Sequence, residues 1–347
     1  MQDNHHNAGM PGEYTQSIKI GVLGAGAFGT SMATVAARRQ HKVLLWGRDE
    51  AQVQAIHETR RNPKYGMEVF ELPENVQATT SLEETCKDAD VLMLCLPAQR
   101  IPDFLKEHKD LVDRKTILCN TAKGLYVPTH QLLSDAILEA MDRPDQPYAV
   151  LSGPSFAAEI MHNMPTAVVV ASKLLYHAVT IQRALSSMFF RVYSSQDIVG
   201  VQLGGALKNP LAVGAGMIEG AGFGMNTLAA YVTRSSNELR QLCIAMGGEK
   251  DTVSGLSGVG DLMLTAFGSL SRNRTLGKRL MEGEVLEDLL LEKTVEGVPT
   301  AQVAVAYAEK CGIEAPCFTV IYQLLNGDIK PDEAQKLLMN RPLKSEH

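Results

Sequence analysis

The chain has 347 residues, a formal charge of −6, 45% hydrophobic and 21% charged residues. That length exceeds one ordinary core, so two domains are expected, and the acidic balance disfavours nucleic acid or an anionic membrane as a general partner, leaving any anionic substrate to a local cluster of cations. No apolar run reaches the roughly eighteen residues of a membrane span, and residues 1–16 are polar without a basic-plus-apolar signal pattern, which predicts a soluble protein with a short disordered tail.

In chain order, Ile18–Leu23 reads as a short buried strand running into Gly24-Ala25-Gly26-Ala27-Phe28-Gly29, after which a helical pattern begins at Thr30. In that setting Gly24 permits a tight turn, Gly26 lets a pyrophosphate approach the backbone, and Gly29 lets helix pack on strand. The helix N-terminus, with Ala27 and Phe28, then points at the phosphates. Three glycines alone would equally fit an ordinary turn; the strand before and the helix after favour a dinucleotide. A second strand, Lys42–Trp46, ends at Gly47-Arg48-Asp49, where the ribose-reading residue is expected. An acid there reads the 2′-hydroxyl of NAD and an arginine accommodates the 2′-phosphate of NADP. Arg48 comes first, so NADP(H) is preferred, with NAD(H) possible through Asp49; the alternative for Arg48 is a solvated loop charge.

Short apolar runs at 89–96, 116–120, 148–151 and 167–170 alternate with helix-like segments, as in βαβ units of a mostly parallel sheet. After Arg191–Asp197 the strands stop. The expectation is an α/β chain: a Rossmann-type NAD(P)-binding domain over 17–195, then an all-helical substrate-binding and catalytic domain over 196–347. The six cysteines lack metal-ligand spacing and several lie in apolar runs, which reads as reduced core residues in a cytoplasmic protein, with no metal.

Three strand ends carry polar loops, where ligands of open α/β sheets bind. Lys123 precedes Gly124 after one strand; Ser152-Gly153-Pro154-Ser155-Phe156-Ala157 follows another, with Pro154 expected in a first helical turn; Pro97-Ala98-Gln99 follows a third. In the helical half, Lys208 sits in a run of small and apolar residues, 201–217. Burial there would move its pKa down toward neutrality, where an amine can give and retrieve a proton; the alternative is a lysine snorkelling to water. Asp261, alone in Gly258–Thr265, is a candidate partner for Lys208. Ser271-Arg272-Asn273-Arg274 offers guanidinium forks and an amide suited to phosphate oxygens, or else a solvated helix end.

Together these motifs resemble the bacterial NAD(P)-dependent glycerol-3-phosphate dehydrogenases. The match runs in order through Gly24–Gly29, Thr121–Gly124, Ser152–Ala157, Gly200–Asn209, Gly258–Leu262, Ser271–Arg274 and Val295–Gly297. The resemblance implies a cytoplasmic homodimer that interconverts dihydroxyacetone phosphate and sn-glycerol 3-phosphate for phospholipid synthesis. It implies Lys208 as proton donor and acceptor, with Lys123 and Asp261 in the catalytic group. Lys123, Gly153, Ser155, Lys208, Asp261, Thr265, Ser271, Arg272 and Asn273 would line the substrate site. Gly24, Gly26, Ala27, Phe28, Gly29, Arg48, Lys123, Ala157, Arg272, Thr294 and Glu296 would meet the cofactor.

Three positions depart from the family pattern: Pro210 stands where an apolar residue is usual, Asn62–Met67 lacks a usual Leu-Pro, and Ala98 replaces a common serine. Two rival readings are a hydroxyacid dehydrogenase of the same superfamily, which has less use for Ser271–Arg274, and a non-catalytic NAD(P)H sensor, which needs no buried lysine.

Overall fold

A computed structural model describes residues 17–292 and 294–340; the tail expected over 1–16 lies outside the described residues. The main sheet has eight strands: β1 (Lys19–Leu23), β2 (Lys42–Trp46), β3 (Val76–Thr79), β4 (Val91–Leu94), β5 (Ile117–Asn120), β8 (Tyr148–Ser152), β9 (Thr166–Ala171) and β10 (Phe190–Ser195). A two-stranded hairpin, β6 (Leu125–Tyr126) and β7 (Gln131–Leu132), stands beside it. The order is β10-β9-β8-β5-β4-β1-β2-β3. Every pair is parallel except β8 with β9, so the last two strands run against the rest. The order reverses between β1 and β4, and that switch point is where the glycine-rich turn leaves the sheet.

The central strands are continuous apolar runs because both faces are covered. Along β4, Val91 and Met93 join one core while Leu92 and Leu94 join the other, and in β8 Ala149 and Leu151 oppose Tyr148 and Val150 in the same way. Each fully buried leucine of these strands contributes on the order of 2 kcal/mol. The sequence reading missed β3, Val-Gln-Ala-Thr, whose only buried residue is Ala78. An edge strand with one covered position has no apolar run to betray it.

From Ile198 to residue 340 the described regular structure is helical. Its axis is the helix Ile198–Gly220, buried on nearly every side, as an all-round apolar helix must be. Pro210, the departure from the family pattern, lies inside it and the helix continues through. The helix Arg272–Met281 crosses it backbone to backbone: a Cβ on Gly216 would lie 1.9 Å from the Arg274 carbonyl oxygen, and one on Gly277 2.0 Å from that of Val213. This contact delivers Ser271–Arg274 to the flank of the helix that carries Lys208. No single described helix is long and apolar enough to cross a membrane.

Candidate active site

Lys208 is 5% exposed, so the snorkelling alternative is excluded. Its Nζ donates to Thr265 Oγ1 at 2.6 Å and pairs with Asp261 Oδ1 at 3.2 Å. Asp261 follows a single π-helical turn, Leu256–Gly260, and is 2% exposed at the start of the helix Asp261–Phe267. A π-turn adds a residue to the helical ladder and often marks a functional site. The other carboxylate oxygen, Oδ2, takes Lys123 Nζ at 2.7 Å. Thr265 Oγ1 spends its proton on the Asp261 carbonyl at 2.6 Å, leaving lone pairs for Lys208.

One buried carboxylate therefore serves two ammonium groups from opposite halves of the chain. Burial is the main influence on Lys208 and pulls its pKa down to about 8; the Asp261 charge opposes this, while Lys123 and Arg272 add to it. A lysine so placed gives up and regains its proton near neutral pH. Lys123 Nζ also donates to the Gly153 carbonyl at 2.7 Å and reaches Ser155 Oγ at 3.4 Å. Gly153 has φ +135°, a region that favours glycine, and the conformation aims its carbonyl at Lys123. Pro154 was expected in a helical turn and is not: β8 ends at Ser152 and the next helix, Ala157–Met161, starts after Phe156, so Pro154 lies in the connecting loop.

A chain of amides ties the segments carrying Lys123, Asn209, Asn273 and Gly297 together. Asn209 Nδ2 donates to the Lys123 carbonyl at 2.8 Å, Asn273 Nδ2 donates to Asn209 Oδ1 at 3.0 Å, and the Gly297 N–H donates to Asn273 Oδ1 at 2.9 Å. Ser271 is the buried N-cap of its helix, its Oγ accepting the Arg274 N–H at 3.1 Å. Arg272, exposed, projects charge on both Lys208 and Glu296. Arg274 turns away, pairing with Glu219 at 2.5 Å, so only one of the two arginines faces the site.

At the cofactor end the three glycines do three different things. Gly24 has φ +120°; a Cβ on Gly29 would lie 1.9 Å from the Gly24 carbonyl oxygen, and one on Gly26 would meet nothing within 4 Å. The first two fix the turn and the third leaves its outer face open. Gly26 is the N-cap of the helix Ala27–Arg38 and has no side-chain cap, so free N–H groups face that opening. A dinucleotide pyrophosphate fits there. Ala27, Phe28 and Ala157 border the same core. Glu296 Oε1 accepts the Ala98 N–H at 3.2 Å, joining the two halves; burial raises its pKa, against the Ala98 bond and the Arg272 charge. Arg48 is exposed at the end of β2, and Thr294 is exposed as well.

Sequence reasoning did not assign Asn209, although a second polar residue beside Lys208 in an apolar helix was a signal. Gln99 was expected only as part of a ligand-facing strand end; its Oε1 accepts the Val127 N–H and its Nε2 donates to the Leu125 carbonyl, holding the hairpin. Among the described residues no group of His, Cys, Asp and Glu could hold a metal.

Comparison with known proteins agrees with this geometry. The family models for the N-terminal and C-terminal parts of NAD-dependent glycerol-3-phosphate dehydrogenase match residues 19–178 and 197–336. The chain belongs to the NAD-dependent glycerol-3-phosphate dehydrogenase family. It is 40% identical over 334 residues to glycerol-3-phosphate dehydrogenase [NAD(P)+] of Leptospira biflexa, covering 95% of this chain and 99% of that one. It is 42% identical over 328 residues to a chloroplastic glycerol-3-phosphate dehydrogenase [NAD(+)] of Arabidopsis thaliana, covering 93% and 78%. The solved glycerol-3-phosphate dehydrogenase of Coxiella burnetii superposes with a TM-score of 0.87 at 32% identity, covering 94% of this chain and 99% of the other. The Leptospira relative is named for NAD(P)+ and the Arabidopsis relative for NAD(+), so both cofactors occur within the family.

Proposed function

We propose that this glycerol-3-phosphate dehydrogenase transfers hydride reversibly between NAD(P)H and dihydroxyacetone phosphate, giving sn-glycerol 3-phosphate, with Lys208 as general acid and base. The observation that carries this reading is the Lys208–Asp261–Lys123 cluster, an amine with a pKa of about 8 beside a second cation. Bound at the glycine-rich turn, the nicotinamide nucleotide supplies or accepts the hydride. Lys208, as ammonium, protonates the alkoxide that develops at C2, and Lys123 adds positive potential at the same oxygen. Asp261 and Thr265 hold Lys208 in line.

Ser271, Arg272 and Asn273 bind the phosphate, a remote handle whose binding orients the carbonyl. Lys208, Lys123, Gly153, Ser155, Asp261 and Thr265 line the reacting end. Gly24, Gly26, Ala27, Phe28, Gly29, Arg48, Ala157, Thr294 and Glu296 contact the cofactor, with Lys123 and Arg272 shared between the two ligands. NADP(H) is the preferred cofactor because Arg48 is exposed and no partner competes for its guanidinium among the described hydrogen bonds and ion pairs.

We assign the reaction to glycerophospholipid synthesis, whose backbone is the product, and to a cytoplasmic homodimer. Six cysteines, none of them in a disulfide among the described residues, support a reducing compartment, and the apolar side chains Tyr176, Met188 and Phe189 exposed beside edge strand β10 support self-association. The two domains would meet between Ser195 and Ile198, where sheet gives way to helix.

The test is the initial rate of NADPH and of NADH oxidation with dihydroxyacetone phosphate, beside unphosphorylated dihydroxyacetone and beside Lys208→Met. Phosphate-dependent turnover that vanishes in the variant supports the reading. Equal rates with the unphosphorylated ketone would move the hydroxyacid dehydrogenase reading ahead of it.

A further inference from the structure

The segment Asn62–Met67, which departs from the family pattern, is fastened to the phosphate-binding turn by buried amides. Asn62 is fully buried; its Nδ2 donates to the Ala25 carbonyl at 3.0 Å and to Thr30 Oγ1 at 2.7 Å. Its Oδ1 accepts Gln52 Nε2 at 2.8 Å and the Lys64 N–H at 3.1 Å. Gln52 Nε2 adds a bond to the same Ala25 carbonyl at 2.7 Å. Every donor and acceptor of the Asn62 amide is used, so the path of the chain into Lys64 is rigidly referenced to the turn that would hold a pyrophosphate.

Lys64 Nζ is ion-paired with Asp49 Oδ2, and Asp49 is the residue after Arg48. The other Asp49 oxygen caps the helix Glu50–Thr59, accepting the Gln52 N–H at 3.1 Å. Both carboxylate oxygens are engaged, and the Lys64 bond, then the Gln52 N–H, hold the carboxyl below its ordinary range. The acid that would read a 2′-hydroxyl is thus occupied, and the cation that occupies it belongs to the anchored segment.

We propose that Lys64 is a second cation of the ribose 2′-phosphate subsite beside Arg48, and that Asp49 holds Lys64 rather than reading the ribose. This deepens the NADP(H) preference and rests on it. A 2′-phosphate carries close to two negative charges at neutral pH. It would meet Arg48 against Asp49 in a near-neutral site if Lys64 were absent, and in a net positive one with Lys64 present. An ammonium has three donors; one lies on Asp49 and two remain for phosphate oxygens. Arg48 supplies the planar fork and Lys64 the point charge, two complementary ways of binding phosphate.

The test is calorimetric titration of the full chain with 2′,5′-ADP and with 5′-ADP, fragments that differ by the 2′-phosphate, so no turnover is involved. The wild type is expected to favour 2′,5′-ADP by about tenfold or more. Lys64→Met should weaken 2′,5′-ADP by roughly tenfold and leave 5′-ADP within about twofold. Asp49→Asn, which keeps a capping side chain and frees Lys64, should hold or tighten 2′,5′-ADP. Lys64→Gln, which retains length and polarity, covers the case in which Lys64→Met does not fold. An unchanged preference in a folded Lys64 variant overturns the proposal while leaving the NADP(H) reading intact. No preference in the wild type overturns both.

Discussion

The cofactor end and the chemical end of this molecule are built on opposite principles. The turn Gly24–Gly29 is six consecutive residues whose shape follows from their own sterics, φ +120° at Gly24 and no room for a Cβ at Gly29. The lysine cluster has no local existence. Lys123 stands in a loop after β5, Lys208 in the middle of a long helix and Asp261 after a π-turn, with 138 positions between Lys123 and its carboxylate. A local device tolerates changes elsewhere in the fold, whereas an assembled one depends on every element that delivers it. The two ends should therefore fail differently under substitution.

The largest effect is expected at the assembled end. Lys208→Met removes the proposed proton donor from a buried position, and kcat should fall by about a thousandfold or more, while 5′-ADP affinity and the melting temperature stay near the wild type. A turnover loss below tenfold would mean that another group supplies the proton.

Next comes the pair of arginines in one tetrapeptide. Arg272 faces the site and Arg274 is spent on Glu219. Arg272→Ala should raise the KM for dihydroxyacetone phosphate by about a hundredfold, as for loss of a charge-assisted phosphate contact. Arg274→Ala should leave KM within about twofold and act modestly on stability instead, because it removes one of the two cations that pair with a partly buried Glu219, leaving Lys278. Steady-state kinetics on the two variants check this, and equal KM effects would break the distinction.

At the local end the contrast lies between two glycines three residues apart. Gly26→Ala adds a methyl into open space; the fold should survive and cofactor affinity should fall by roughly tenfold, since the methyl stands where a pyrophosphate would approach. Gly29→Ala drives a methyl to 1.9 Å from a carbonyl oxygen, and overpacking of this kind costs about 3 kcal/mol. Thermal melts beside nucleotide titrations separate the two.

Legibility in the sequence follows the same division. The turn, the strands covered on both faces and the helical second half could be read directly, because burial on both faces leaves unbroken apolar runs and turn sterics leave glycines. Lys208 and Asp261 stood out as charges in apolar surroundings. What stayed hidden was whatever depends on a distant partner. The buried amide of Asn62 has no sequence pattern, β3 is too polar to announce itself, and nothing in Ser-Arg-Asn-Arg says that its second arginine is claimed by Glu219 while its asparagine is held by Asn209. The sequence already suggested that Asp261 pairs with Lys208; the fold added that Lys123 shares that carboxylate and that Asn209 and Asn273 hold each other.

The smallest expected effect concerns the Thr265 hydroxyl. Burial dominates the Lys208 pKa and brings it to about 8, with Asp261 opposing, and the 2.6 Å bond from Nζ to Thr265 Oγ1 supports the charged form in the same sense as Asp261. Reduction of dihydroxyacetone phosphate needs the ammonium, so its rate should fall as pH rises through about 8, while oxidation of glycerol 3-phosphate, which needs the free amine, should rise through the same window. Thr265→Val keeps the shape and removes the acceptor. The ammonium loses support, the pKa moves further down, and both limbs of the pH profile should shift to lower pH by less than about one unit, with a loss of reductive rate at neutral pH of no more than about twofold. Thr265→Ser, which restores an acceptor at the same Oγ, should return the profile toward the wild type. A shift to higher pH in the valine variant would show that Thr265 stabilises the neutral amine instead, and that Asp261 alone keeps Lys208 charged.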